Sequence, residues 1–380
     1  MPLRIPLKSS KRVGGMLGEN EGLFCLVYMA LLFMSCAAAG AEEAPREKVL
    51  LDADMVELYD DGMAMLMLAK SSRISLLGVS VVIGNTWAEE GAAFALRQLE
   101  GAGMASSIPV AVGMNHPLRG GRVANMKKER GLFGFGRDDW QGAGGYARPE
   151  SWQAVYKDIY QVEPASAPIK EHAVDFIIEQ VKKYPGEVTI AAIGPCTNLA
   201  EAVRRAPEIV PLVKRVVYMG GAFFQEGNVT PAAEFNCWFD PEAAKTALRS
   251  PFKEQIIVPL DVCEKVKLSA QRYAETARNI KNPVFAEMLR RNFRYGKFKS
   301  EPEYVTYIWD TIVSAVIIDP AIITEEVFLP VDVNDNYSLS YGQTLAFKGG
   351  APQGAQKARI VLSVDEKKLW KMIFETCAEL

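Results

Sequence analysis

From Lys48 onward, short β-rich apolar runs alternate with amphipathic stretches at helical spacing, and this alternation restricts the chain to an α/β architecture. The runs cover residues 76–83, 110–112, 188–193, 216–219 and 256–260, and the helical stretches between them cover 92–99, 172–183 and 199–206. The fold they predict is a mostly parallel central sheet with helices on both faces. Past Phe328 the pattern turns to alternating, strand-like segments at 338–347 and 358–364, followed by an amphipathic helix from Glu366. That change predicts a small β-rich C-terminal extension. Residues 119–146 break the rhythm, being rich in Gly and basic residues, and read as a long irregular lid or binding loop. There is no internal repeat.

The charge balance excludes a nucleic-acid binder. Formal net charge is −3, and clusters such as Lys127-Lys128-Glu129-Arg130 are interrupted by acids and lack interleaved aromatics. The expected partner is a small molecule. At the N-terminus Lys8, Lys11 and Arg12 precede an apolar stretch at 23–33, followed by Ser35, Cys36 and small residues up to Ala41. This is a signal-peptide pattern over residues 1–41, with acylation at Cys36 or an uncleaved membrane anchor as the alternatives. Residues 47–380 then form one exported domain, periplasmic or secreted. Its four cysteines, Cys196, Cys237, Cys263 and Cys377, are too irregularly spaced for a zinc site or a disulfide framework, so buried free thiols are expected.

The first strand, at 49–51, runs into an acidic cluster, Asp52-Ala-Asp54-Met-Val-Glu57-Leu-Tyr-Asp60-Asp61, after which Met63, Ala64, Met67 and Leu68 recur at helical spacing. Four aspartates thus occupy a strand-to-helix connection, where open α/β sheets bind ligands. Like charges packed so closely need a cation or a set of donors, and an all-oxygen ligand set suits calcium or magnesium. A solvated acidic turn is disfavoured by the apolar flanks.

Other strand ends are polar as well. Residues 81–85 end in Gly84-Asn85, residues 190–198 continue through Ile193-Gly-Pro into Thr197-Asn198, and 217–221 end at Met219-Gly-Gly. Together they describe one polar crevice at the carboxyl edge of the sheet. Asn228, Glu234 and Asn236 add amides and a carboxylate suited to a ligand with many hydroxyls, while Asp240 before Pro241 reads as a helix cap.

These motifs, in this order, resemble those of the inosine/uridine-preferring nucleoside hydrolase family from about Val49 to the C-terminus. The family's Asp-x-Asp-x-Gly-x-Asp-Asp motif is matched in its aspartates by Asp52, Asp54, Asp60 and Asp61, and Trp309-Asp310 opens a further matching helix. The resemblance implies hydrolysis of the N-glycosidic bond of ribonucleosides to free base and ribose. It implies a calcium ion held by Asp54, Asp61, Asp310 and the carbonyl of Ile193, and Asp60 as the base at a calcium-bound water. Asn85, Asn228, Glu234 and Asn236 would grip the ribose, with Met219 packed near it. A homodimer or homotetramer is also implied.

The chain departs from the family pattern at two places. Five residues separate Asp54 from Asp60, two more than usual, and the motif glycine is missing, so Glu57 is a candidate to face the metal. Where many members carry a histidine before the last calcium aspartate, this chain has Trp309; its two histidines, His116 in a loop and His172 in a helical stretch, lie elsewhere. The Trp-Asp pair resembles the purine-specific branch, in which the base stacks between aromatic rings, and purine nucleosides are the expected substrates. Trp140, Trp87 and Phe135 are the candidates for a second ring. Two rivals are a haloacid-dehalogenase-type magnesium-dependent phosphatase, suggested by Asp52-Ala-Asp54, and a non-catalytic nucleoside or sugar receptor on the same fold.

Overall fold

The computed structural model describes residues 45–133, 140–301 and 303–380. The signal-peptide pattern, Cys36 and Phe135 lie outside the described residues.

The strands in chain order are β1 Glu47–Ala53, β2 Ile74–Val81, β3 Val110–Val112, β4 Val188–Ala192, β5 Arg215–Met219, β6 Gln255–Val258, β7 Lys267–Leu268, β8 Thr306–Tyr307, β9 Ile323–Val333, β10 Thr344–Ala346 and β11 Gln356–Val364. Nine of them form one sheet in the order β10-β9-β11-β6-β5-β4-β1-β2-β3, and β7 pairs with β8 apart from it. Pairing from β3 to β11 is parallel throughout, and only the β11-β9 and β9-β10 ladders are antiparallel. β1 lies between β2 and β4, and its Val49, Leu50 and Leu51 are fully buried because helices cover both faces. The C-terminal β-rich extension is therefore the antiparallel flank of the main sheet.

Two apolar clusters fill the two faces. One contains Val49, Leu51 and Met63 with Ile312 and Val316; the other contains Leu50, Ile190, Val216 and Ile177. The helix Asp61–Lys70 follows β1 and packs on the almost wholly buried helix Trp309–Ile318, whose Ser314 hydroxyl donates to the Ala64 carbonyl at 2.9 Å. That contact fixes the acidic connection against Asp310. All four cysteines of the domain are buried and free, as expected.

Residues 119–146 are a correction. They contain a helix, Arg122–Phe133, and a short 3-10 turn, Gly142–Gly145. Hydrophobic periodicity misses this helix because its buried face is charged: Arg122 and Glu129 are each 1% exposed and pair with each other. His172 is also displaced from its expected place. The helix begins at Ala173, and His172 is its cap, with Nδ1 accepting from the Val174 N–H at 3.3 Å.

Candidate active site

The site is assembled at the carboxyl ends of β1, β2, β4 and β5. Asp52, the last acidic residue inside β1, accepts a 2.8 Å bond from the Asn198 amide, whose oxygen in turn accepts the Met114 N–H at 2.8 Å. Asp52 is thereby a strut between strand ends. Two residues on, Asp54 sits where no side chain is tolerated beside it: a Cβ on Gly84 would lie 2.1 Å from its Oδ2, and one on Gly194 would lie 2.7 Å from its backbone nitrogen. Its Oδ2 accepts the Asn85 N–H at 2.6 Å, and its buried Oδ1 has no donor.

The lengthened loop folds inward instead of bulging into solvent. Met55, Leu58 and Tyr59 are core residues, and the Gln98 amide donates to the Val56 carbonyl at 3.3 Å. Glu57, a candidate metal ligand from the sequence, faces away from the cluster and is taken by Arg291 and the Tyr160 hydroxyl. Asp60 has both oxygens committed to the start of the helix Trp309–Ile318, accepting the Asp310 N–H at 3.1 Å and the Trp309 N–H at 3.3 Å. This is a cap supplied from a distant part of the chain. Asp61 accepts the Val56 N–H at 3.3 Å through Oδ2, while its Oδ1 is buried without a donor.

Burial pushes the carboxyls of Asp54, Asp61 and Asp310 above the ordinary range, and mutual repulsion among acidic neighbours adds to it. Asp60 is raised by burial and partly relieved by the positive charge of Arg294. Among the described residues, no three His, Cys, Asp or Glu side chains already stand at the spacing of a metal shell. Even so, the residues fit a hard cation: every candidate donor is oxygen, and the two orphaned carboxylate oxygens are the kind of acceptor that a cation would satisfy.

Around this cluster, the Asn236 amide donates to the carbonyls of Ile193 at 2.9 Å and Met219 at 3.1 Å, joining the ends of β4 and β5. Glu234 is 1% exposed and accepts from the backbone of Gly221, Asn236 and Cys237, capping the short helix Phe235–Phe239. Asn228 accepts the Phe235 N–H at 2.9 Å and so shapes the same turn. Asp240 caps the following helix through Ala243, as expected. Trp309 packs edge-on against Tyr307, and its indole N–H is buried without an acceptor. Of the candidate second rings, Trp140 donates to the Asn85 side chain at 3.4 Å, whereas Trp87 is turned to the Tyr146 carbonyl at 3.3 Å.

Sequence reading missed Arg291, Asn292 and Arg294, which hold the acidic loop from outside. Nothing in their local pattern marks them, since they lie at a junction between two ordinary helices.

Burial sets a pH dependence. The Asp52 carboxyl is raised to about 7, mainly by burial and also by Asp54, against the Asn198 bond, and Asp240 is raised by burial to about 6. A carboxyl whose folded pKa exceeds its unfolded value holds extra protons in the folded state, so the stability it contributes is lost as pH rises through the folded value. With chelator present, the melting temperature is expected to fall from about pH 5 to about pH 8. A divalent cation bound at the cluster would flatten that slope by replacing protons as the neutralising charge. A chelated protein that melts higher at pH 8 than at pH 6 would contradict this account.

A parallel sheet whose carboxyl edge gathers buried acids beside amides forms a small-molecule site suited to a ligand with many hydroxyls. The inosine-uridine preferring nucleoside hydrolase model matches residues 49–371. Uridine nucleosidase 1 of Arabidopsis thaliana is 33% identical over 282 residues, covering 73% of this chain and 76% of that protein. The pyrimidine-specific ribonucleoside hydrolase RihB of Shigella flexneri is 26% identical and covers 87% of this chain and 96% of that protein. Among solved structures, a plant nucleoside hydrolase, the PpNRh1 enzyme, superposes with a TM-score of 0.70 at 26% identity, covering 88% of this chain and 99% of the other. The chain belongs to the inosine-uridine preferring nucleoside hydrolase family and is a hydrolase acting on ribonucleosides. The phosphatase alternative falls with that assignment.

Proposed function

We propose that the protein binds calcium and cleaves the N-glycosidic bond of purine ribonucleosides, releasing free base and ribose. The observation that carries this reading is the buried acidic cluster with two uncompensated carboxylate oxygens, Asp54 Oδ1 and Asp61 Oδ1, beside a rim of amides. Asp54, Asp61, Asp310 and the Ile193 carbonyl would hold the ion. When bound, calcium supplies charge that orients a water and eases its deprotonation.

The base role moves within the cluster. Asp60 was the expected base, but both its oxygens accept backbone N–H groups of the helix Trp309–Ile318. Asp54 keeps an oxygen without a donor, Oδ1, so we assign it the proton as well as a share of the ion, and Asp60 orients the helix that carries Asp310. As water adds to the anomeric carbon, its proton passes to Asp54 and the C–N electron pair leaves with the base, which solvent protonates. Buried carboxylates stabilise the positive ring that develops. Asn85, Asn228, Glu234 and Asn236 would grip the ribose, with Met219 against it. Residues 1–41 would export the enzyme, periplasmic or secreted, where salvage of external nucleosides is its use.

Purine preference rests on Trp309, with Trp140 as the second ring. A pyrimidine preference is the second reading, favoured by the names of two relatives. Inosine, adenosine, guanosine, uridine and cytidine should be incubated with the mature protein, first with calcium and then with chelator, while free base and ribose are followed. Calcium-dependent release from inosine ahead of uridine is expected; the reverse order assigns pyrimidines, and intact bound nucleoside assigns a receptor. Trp309→Ala should lower kcat/KM on inosine roughly tenfold and leave an activated nitrophenyl riboside within about twofold, since the latter needs no help in leaving. Equal losses on both would remove the stacking role.

A further inference from the structure

The loop between Asp54 and Asp60 is held from outside by one short stretch of chain. Three consecutive loop residues each meet a side chain from residues 291–294. Glu57 receives both the Nε and Nη2 of Arg291, the first at 3.1 Å. The Leu58 carbonyl accepts the Asn292 amide at 2.8 Å, and the Tyr59 carbonyl accepts Arg294 Nη1 at 2.7 Å. The next two residues are Asp60 and Asp61. We infer that residues 291–294 form a clamp that positions Asp60 and Asp61, with the Glu57–Arg291 ion pair as its latch, so that Glu57 is a positioning residue of the site and no metal ligand.

The latch is itself braced. Tyr160 donates its hydroxyl to Glu57 at 2.7 Å, and the guanidinium of Arg291 lies over the Tyr160 ring at 4.7 Å. Glu57 thus accepts three hydrogen bonds from two residues and only 14% of its side chain is exposed, which leaves it no freedom to turn toward the cluster. Asn292 serves two ends at once, since its side-chain oxygen accepts the Arg294 N–H at 3.0 Å and caps the helix Phe293–Ser300. Arg294 is 8% exposed, so its bond to the loop is sheltered from water. The clamp reaches the metal candidates through Asp60, which in turn receives the N–H groups of Trp309 and Asp310. A loop with five residues between Asp54 and Asp60 has more conformations to lose than a shorter one, and the clamp removes them before substrate arrives.

The cavity of about 190 Å³ beside Tyr160 offers no competing role as an anion site, because both arginines that line it, Arg97 and Arg291, are already paired with Glu100 and Glu57.

The inference deepens the hydrolase reading and rests on it for its catalytic consequence, while its structural content stands apart. Three variants test it: Glu57→Gln, Arg291→Ala and the exchange pair Glu57→Arg with Arg291→Glu. Hydrogen exchange of the amides at 55–61 should quicken about tenfold or more in the first two and slow again in the exchange pair, with helix amides far from the site unchanged. On inosine, kcat should fall about tenfold and the calcium concentration for half-activation should rise, with KM within about twofold. Unchanged exchange and kcat in Glu57→Gln would overturn the clamp. Loss in Glu57→Gln that the exchange pair fails to recover would overturn the ion pair as its latch. If the unaltered protein releases no base, the hydrolase reading fails while the exchange data still decide the clamp. Should Arg291→Ala not fold, Glu57→Gln alone carries the decision, because it removes charge and keeps shape.

Discussion

Asp54→Asn is expected to abolish turnover, lowering kcat by about 10²–10⁴ while leaving the fold intact. The amide keeps an oxygen that can accept the Asn85 N–H, now at 2.6 Å, and it fits the same slot between Gly84 and Gly194. What it loses is the negative charge and the proton affinity of the free oxygen. The calcium-linked rise in melting temperature should shrink in the same variant, because a ligand stabilises the folded state by an amount that grows with the logarithm of its affinity. Asp60→Asn is the matched control, since one oxygen still caps the helix Trp309–Ile318 and the residual rate should exceed that of Asp54→Asn. Single-turnover rates on inosine at saturating calcium give the comparison. Should Asp60→Asn be inert while Asp54→Asn turns over, the base returns to Asp60.

Arg122→Met is expected to be the most destabilising single change outside the acidic cluster. Arg122 pairs with Glu129, donates to the Trp238 carbonyl at 2.7 Å, and lies over the rings of Trp238 and Tyr341 at 4.9 and 4.8 Å. Glu129 also accepts the Trp238 indole N–H at 3.1 Å. Removing one partner strands a buried charge, at a cost of about 3–5 kcal/mol, whereas removing both charges together costs far less. Urea unfolding should show a large drop in midpoint for Arg122→Met and a substantial recovery in the Arg122→Met, Glu129→Leu pair. Additive losses would mean that the pair contributes through shape alone. Because Trp238 belongs to the short helix that follows Glu234, the single variant should also weaken nucleoside binding.

Much of the fold was legible because parallel strands buried on both faces read as continuous apolar runs, as at Val49 to Leu51, and because their helices carry clear stripes. The acidic cluster was legible for a different reason: charges beside such strands have no place in a core unless they serve a site. What stayed hidden is packing that charge performs. The helix Arg122–Phe133 buries an ion pair, so a reading based on apolar spacing sees only a basic, glycine-rich segment. Glu57 looked like a spare ligand because sequence order places it between aspartates, yet its direction is set by Arg291, 234 residues away. The same holds for Asp60, whose two acceptor bonds go to residues about as far off. Local sequence specifies that these acids meet at a strand end; which oxygen is left free is decided by distant donors.

The bond between Asp60 and the Asp310 N–H joins positions 250 residues apart, and it has a consequence for how the enzyme comes into being. While a chain is being synthesised, everything before Trp309 emerges with the acidic loop uncapped and without its last carboxylate. Contacts of such long range form late, after the cost of ordering the intervening chain has been met. A polypeptide that stops before Trp309 would hold the crevice, the amides and four of the aspartates, and would lack Asp310 and the helix that Asp60 caps. On the proposed assignment of Asp310 to the ion, such a truncated product is expected to be inert toward nucleosides.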